Sequence, residues 1–406
     1  MSGGGAESLW VVVPAAQRRD GSWIDDTLVT RTAEAGDAAA REPGGGGLGP
    51  SAARAPDAGR FPRQRVELFR GPGAAEAVDT AFRRRGWTDG LPVVAPTTAR
   101  VADLVAVSGR NPQDVVGELA PLGGLATVER VAANAVMAGC GPEQFGYVLA
   151  AVSAVCDPAF NLAGVQTTDE NVAPLVVISA PAEARARAEL NAGFGVLGPG
   201  WRGNATIGRA VRFALNNLGG GWPGVVAFAG AGQPGKYTLV VPEDDETCPW
   251  PPLRVELGHE AHEAVVVVSR AESAVNVTGG VAEVVSAMGS ATSAFTALHG
   301  GSAAVLLAPH TARELAGRGL SRRDVARLLC AEARIPADVW RRFWVAGAVK
   351  GAAALAAGGD AGVPVLADPE RLLVVVAGGT IPIPQHVWFP GWGFPPAHVV
   401  RAVEHV

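Results

Sequence analysis

Four cysteines in 406 residues are too few for a disulfide framework, and their spacings of 16, 92 and 82 residues match no zinc pattern. The pair His259 and His262 flanks Glu260 and Ala261, which is one residue short of the H-E-x-x-H metal motif, so no metal site is expected. No G-x-S-x-G elbow occurs, which argues against a serine hydrolase even though His299-Gly300-Gly301-Ser302 has the look of an oxyanion segment. Aromatic residues make up only 6%, and with a net charge of −5 no basic stripe interleaved with aromatics exists, so nucleic acid is not an expected partner. No apolar run approaches the roughly 18 residues of a membrane span. The opening MSGGGAESLWVVVPAAQ lacks the basic segment and apolar core of a signal peptide. These absences lead to the expectation of a cytoplasmic protein with reduced thiols, no membrane contact and no bound cofactor.

What is present is a hydrophobic content of 48%, rich in Ala and Val, and 53 glycines without a collagen-like period. Between Ala33 and Arg60 the composition turns to Ala, Gly, Pro and charge, including Gly44 to Gly47, and too few apolar residues remain to offset the entropy of ordering. Residues 1–60 are therefore read as an extension with a flexible linker, and 61–406 as the compact unit. Within that unit, helical and strand-like segments alternate. Strands are expected at LPVVAP, PLVVISA, YTLVVPE, EAVVVVS, SAAVLLA and RLLVVVAGG, and helices over residues 74–85, 99–108, 182–191, 204–218, 281–298, 311–317 and 321–333. The fold class expected is α/β, as two closely packed α/β lobes.

The stretch from Thr127 to Asp169 carries the densest signal. Thr127 reads as an N-cap, Gly141 as the end of its helix, and Pro142 as the first turn of the next. Cys140 then lies at the mouth of a helix N-terminus, where the dipole lowers a thiol pKa. Cys156 ends its helix, Cys248 stands among acids and Cys330 lies on an apolar face, so none of these three is expected to react. The loop from Asp157 through Asn161, Gln166, Thr167 and Asp169 is rich in hydrogen-bonding groups directly before a strand, as binding loops are.

At Trp87 to Val94 (WTDGLPVV) the chain begins to resemble a largely uncharacterised bacterial family. The same family pattern is matched at Asn134 to Glu143, Cys156 to Gln166, Asn204 to Ala210, Pro234 to Thr238 and Glu246 to Leu253. Members of that family often stand beside, or are fused to, small proteins with a Sec/Cys-Gly-Ser-Cys motif. The resemblance therefore implies sulfur or selenium chemistry and a redox protein as partner. It spans residues 81–333, and the chain ending TIPIPQHVWFPGWGF departs from the family pattern.

Three further features complete the candidate set. Gly193-x-Gly195-x-x-Gly198 follows a helix and not a strand, so it is a poor dinucleotide fingerprint. It does lead into the helix at Asn204, where Arg202 and Arg209 could hold a carboxylate or phosphate. Lys236 and Tyr237 stand together in a turn, and Asp89 in a Thr-Asp-Gly-Leu-Pro turn. The leading functional expectation is a small-molecule enzyme acting on an anionic metabolite, with Cys140 as nucleophile or redox thiol. Asp89, Asp169, Lys236 and Tyr237 would be its acid–base groups, and Asn161, Gln166, Thr167, Arg202, Asn204 and Arg209 would bind substrate. The alternatives are a lyase or hydratase with a structural Cys140, and a non-catalytic partner subunit docking through Trp388, Phe389, Pro390, Trp392 and Phe394. The aggregation state, monomer or homo-oligomer, is left open.

Overall fold

The computed structural model describes residues 8–24 and 65–404. The linker expected at residues 33–60 lies outside the described residues. A first antiparallel ribbon pairs β1 (Ser8–Val12) with β2 (Val66–Arg70), and a second pairs β3 (Val115–Leu119) with β4 (Gly124–Thr127). The first ribbon corrects the division at residue 60. Val11, Val12, Val13, Ala15, Ala16 and Ile24 are buried in the main core. The carbonyls of Pro14 and Ala15 accept hydrogen bonds from the buried Asn134 and Arg130. Residues 8–24 are thus a layer of the fold. The run LWVVVPA is too short to show this in sequence, because its partner β2 is 54 residues further on.

The body of the molecule consists of two four-stranded sheets. β5 (Ala173–Ser179), β6 (Val240–Pro242) and β7 (Val265–Ala271) form the first with β14 (Val399–Ala402), in the order β14-β7-β5-β6. β8 (Val275–Thr278), β9 (Ala303–Leu307), β12 (Leu372–Val376) and β13 (Gln385–Phe389) form the second, in the order β12-β9-β13-β8. A small ribbon of β10 (Arg334–Ile335) and β11 (Val363–Pro364) lies between β9 and β12 in sequence. Strand periodicity assigns the faces. Leu175, Val177, Val241 and Val267 share one core with Leu306, Leu373, Val375 and Phe389, so the sheets pack face to face. Val176, Ile178, Val266 and Val268 face the helices of the first half, and Val305, Leu307, Val374 and Trp388 those of the second. The result is a helix–sheet–sheet–helix stack of mixed α/β architecture.

The two halves repeat one another. β5 and β6 are parallel, as are β9 and β12, and each pair is followed by an antiparallel strand, β7 or β13. The registers Val176↔Val268 and Val176↔Val240 recur as Val305↔Trp388 and Val305↔Val374. The hydrogen bond from Glu243 N to Ile178 O (2.8 Å) recurs from Ala377 N to Leu307 O (3.2 Å). The fourth strands are exchanged: β8 follows β7 in sequence but pairs with β13, whereas β14 follows β13 and pairs with β7. Where β7 and β13 end, Ala271 bridges Gly391. A helix, a 3-10 turn and a short helix precede β5 and again β9, bent by 73° and 59°.

Most expected helices are present, with differences at their ends. Thr127 caps Val128–Ala138 by accepting from Arg130 N, but that helix ends on Gly139 at φ 93°, and Gly141 is instead the N-cap of Pro142–Val155. The helix expected over residues 281–298 breaks into Val281–Met288 and Ala294–His299, because Gly289 and Ser290 interrupt it. LPVVAP forms no strand. Its residues lie against Val128–Ala138, with Val94 N bonded to Met137 O. Only Val240–Pro242 of YTLVVPE pairs. Among the described residues no single helix is long and apolar enough to cross a membrane.

Candidate functional site

The helix Arg202–Asn217 organises most of the residues singled out above. It begins at Arg202 after Trp201, two residues before the expected start. Gly203, in the first turn of the helix, needs to be glycine because a Cβ there would lie 2.3 Å from Ala188 O, and Gly195 and Gly200 of the preceding loop take positive φ of 70° and 107°. The start of the loop, Asn191 to Gly193, lines a cavity of about 440 Å³ with Arg185, Asp244 and Thr247. Asn204 is buried, with Oδ1 accepting from Asn191 N and Nδ2 donating to the carbonyls of Asn191 and Val196 (2.9 Å each). Its hydrogen-bonding capacity is spent on closing the loop.

Both arginines of the expected anion site are engaged. Arg209 reaches Asp89 with Nε to Oδ2 at 2.7 Å and Nη2 to Oδ1 at 2.9 Å, and also donates to Pro92 O. Asp89 in turn accepts from Leu91 N, the Asx-turn bond expected of such a residue. Arg202 donates to Gly139 O (3.0 Å) and to Glu189 (3.0 Å). Arg209 is committed to Asp89 and largely buried, which corrects its assignment to an anion, whereas Arg202 pairs with Glu189 at an exposed surface.

Cys140, between the helices Val128–Ala138 and Pro142–Val155, packs against Thr206 of this helix and is 7% exposed. Burial pushes its thiol up to about 12, and the hydrogen bond from Thr206 and the charges of Arg202 and Arg209 do not offset this. The expected lowering by the Pro142 helix is therefore reversed: the thiol is held neutral within the core. Burial also pushes Cys156 and Cys330 up to about 12, and raises Cys248. All four cysteines are unpaired.

The loop before β5 disperses. Gln166 is buried and donates to Ala120 O (2.6 Å) and Leu215 O (3.2 Å). Thr167 bonds back to Ala163 O within its own helix. Asn161, at φ 53°, caps Leu162–Thr167 and donates to Phe394 O. Asp169 is exposed, and its carbonyl accepts from Gly230 N. The side chains of Asn161, Gln166 and Thr167 are thus committed to backbone partners.

Lys236 is different. Arg202–Asn217 comes close to the turn Pro234–Lys236 because position 208 is glycine: a Cβ there would meet Thr238 Oγ1 at 2.2 Å and Leu239 N at 3.0 Å. One helical turn further on, Arg212 projects from the same face. Its Nε donates to Lys236 O at 2.8 Å. Both side chains are half-buried, and among the described residues no carboxylate pairs with either. Burial and the adjacent Arg212 charge lower the Lys236 ammonium to about 8, and burial lowers Arg212 to about 10. Tyr237 beside it is 49% exposed. Of the expected site residues, Lys236 alone joins a charged centre without a carboxylate partner among the described residues, and its neighbour Arg212 had not been singled out in sequence.

Two further groups, besides Arg212, were not singled out in sequence. Glu272, at the end of β7, is raised to about 8 by burial and by the neighbouring Glu170 charge, and its Oε1 has no partner. Arg270, two residues earlier, is buried without a carboxylate partner among the described residues. A signal for Arg270 exists, because it occupies a position where the EAVVVVSRA alternation calls for an apolar residue. The terminal aromatics divide: Trp388 and Phe389 are core residues of β13, whereas Trp392 is half-buried and Phe394 is exposed. Among the described residues no cluster of His, Cys, Asp and Glu is arranged to hold a metal. Comparison of the chain with protein-family models, curated proteins and solved structures gave no match.

Proposed function

We propose that this chain is an enzyme of acid–base chemistry on a small anionic metabolite, with Lys236 as proton donor and Arg212 as the cation that holds the substrate's negative charge. One observation carries the reading: two adjacent, half-buried cations face no carboxylate among the described residues. Buried charge is retained in proteins when something pairs with it, and a bound anion supplies that partner. A lysine that titrates near 8 stays largely protonated at neutral pH yet gives up its proton far more readily than a solvated one. Tyr237 stands next to it as a second proton carrier.

This reading favours lyase or hydratase chemistry over thiol chemistry, since the Cys140 sulfur is buried and neutral. A sulfur- or selenium-containing substrate and a redox protein partner rest on the family resemblance, and four unpaired cysteines support a reducing cytoplasmic setting. Calorimetric titration with inorganic phosphate tests the anion centre. The full chain should bind phosphate, and Arg212→Gln and Lys236→Met should each weaken binding at least tenfold. Equal affinity in all three proteins would refute the proposal.

A further inference from the structure

The junction between the halves holds a second unbalanced charge. On β7, Val266 and Val268 point into the helical layer, and Arg270 takes the next position on that face at 2% exposure. Its Nη2 donates to Pro395 O, but Nη1 is buried without any partner. Gly393 packs beside it, since a Cβ there would stand at ordinary contact distance, 3.6 Å from Nη1. Burial alone accounts for its lowered pKa, and no acid offsets it.

Burial, and then the charges of Lys350 and Arg270, lower the pKa of His299, and its Nδ1 is likewise buried and unpartnered. Aromatic rings surround the imidazole: Phe295 at 5.5 Å, Trp392 at 6.1 Å and Phe394 at 6.1 Å between centroids. Lys350 Nζ stands 4.9 Å from the Phe394 ring centre. Phe394 is 54% exposed and Trp344, packed on Phe295, is 76% exposed, so the rim is open to solvent. His398, lowered to about 4 by burial and in smaller part by Arg270, lines a cleft of about 840 Å³ together with Ser302 and Arg371.

We propose that this basket binds a small aromatic carboxylate, with the carboxylate on Arg270 Nη1 and the flat body against Trp392 and Phe394. The carboxylate supplies the counter-charge and the acceptor that the buried guanidinium lacks. The rings supply an apolar, edge-and-face lined wall for a planar body. Lys350 adds a second cation at the mouth. Because Ala271 bridges Gly391 at this point, the ligand would touch both halves of the duplicated fold. The site is separate in its residues from the Lys236 centre.

Benzoate, with acetate as the control, is the probe. Titration of the full chain should show benzoate binding at one site, at least tenfold tighter than acetate. Arg270→Gln should weaken it at least tenfold, and the exposed changes Lys350→Ala and Phe394→Ala should each weaken it several-fold without affecting the melting temperature. Lys236→Met should retain benzoate binding while losing phosphate, which separates failure here from failure of the other centre. Absence of benzoate binding, acetate binding as tightly, or affinity unchanged in Lys350→Ala and Phe394→Ala would overturn the proposal. If Arg270→Gln fails to fold, the two exposed variants decide alone.

Discussion

Asp89 grips Arg209 with both carboxylate oxygens, at 2.7 and 2.9 Å, and so ties the WTDGLP turn to the helix Arg202–Asn217 across 120 residues of sequence. The side chains are 5% and 18% exposed, so the pair is largely desolvated. Asp89→Asn should leave the Arg209 charge without compensation and destabilise the chain by about 3 kcal/mol. Chemical denaturation measures this. A double-mutant cycle with Arg209→Met should show strong coupling, and additive effects would mean that the two groups do not support one another.

The N-terminal residues are expected to be integral. Deleting residues 1–24 removes a buried strand and the carbonyls that satisfy Asn134 and Arg130. Each buried donor left unpaired costs roughly 1–3 kcal/mol, in addition to the exposed core. The truncated chain should lose its cooperative melting transition. A sharp transition at an unchanged temperature would show that β1 is dispensable.

Cys140 should be the slow thiol. With its pKa near 12 and 7% exposure, alkylation at pH 8 should be negligible in the native state and rapid in denaturant. Peptide mass spectrometry reads both conditions. Native labelling of Cys140 faster than of the half-buried Cys156 would restore the thiol-based reading.

The limits of the sequence reading follow from range. The Thr127 cap and the Asp89 turn were legible because each is decided within four residues. The Cys140 environment was not, since the helix dipole is a local effect while burial under Thr206 comes from a helix 60 residues later. The glycines of the 193–203 stretch had a signal that admitted two meanings, and the approach to Ala188 O decides for packing at Gly203 alone. Two α/β lobes were expected, but their repetition is not visible in sequence, because the exchange of β8 and β14 is a long-range event. Arg212 beside Lys236 depends on Gly208, whose role becomes visible only when helix and turn are in contact.

The most direct test is the titration of Lys236 itself. The chain contains two lysines, Lys236 and Lys350, so reductive methylation with a carbon-13 label gives few signals, and Lys350→Arg assigns them. Because the folded pKa lies below the unfolded one, the unfolded chain binds more protons between the two values, and stability should rise with pH from about 8 to 10.5. The account predicts that Lys236 titrates near 8 and moves upward when phosphate is added. A titration near 10.5 that phosphate leaves unmoved would contradict it.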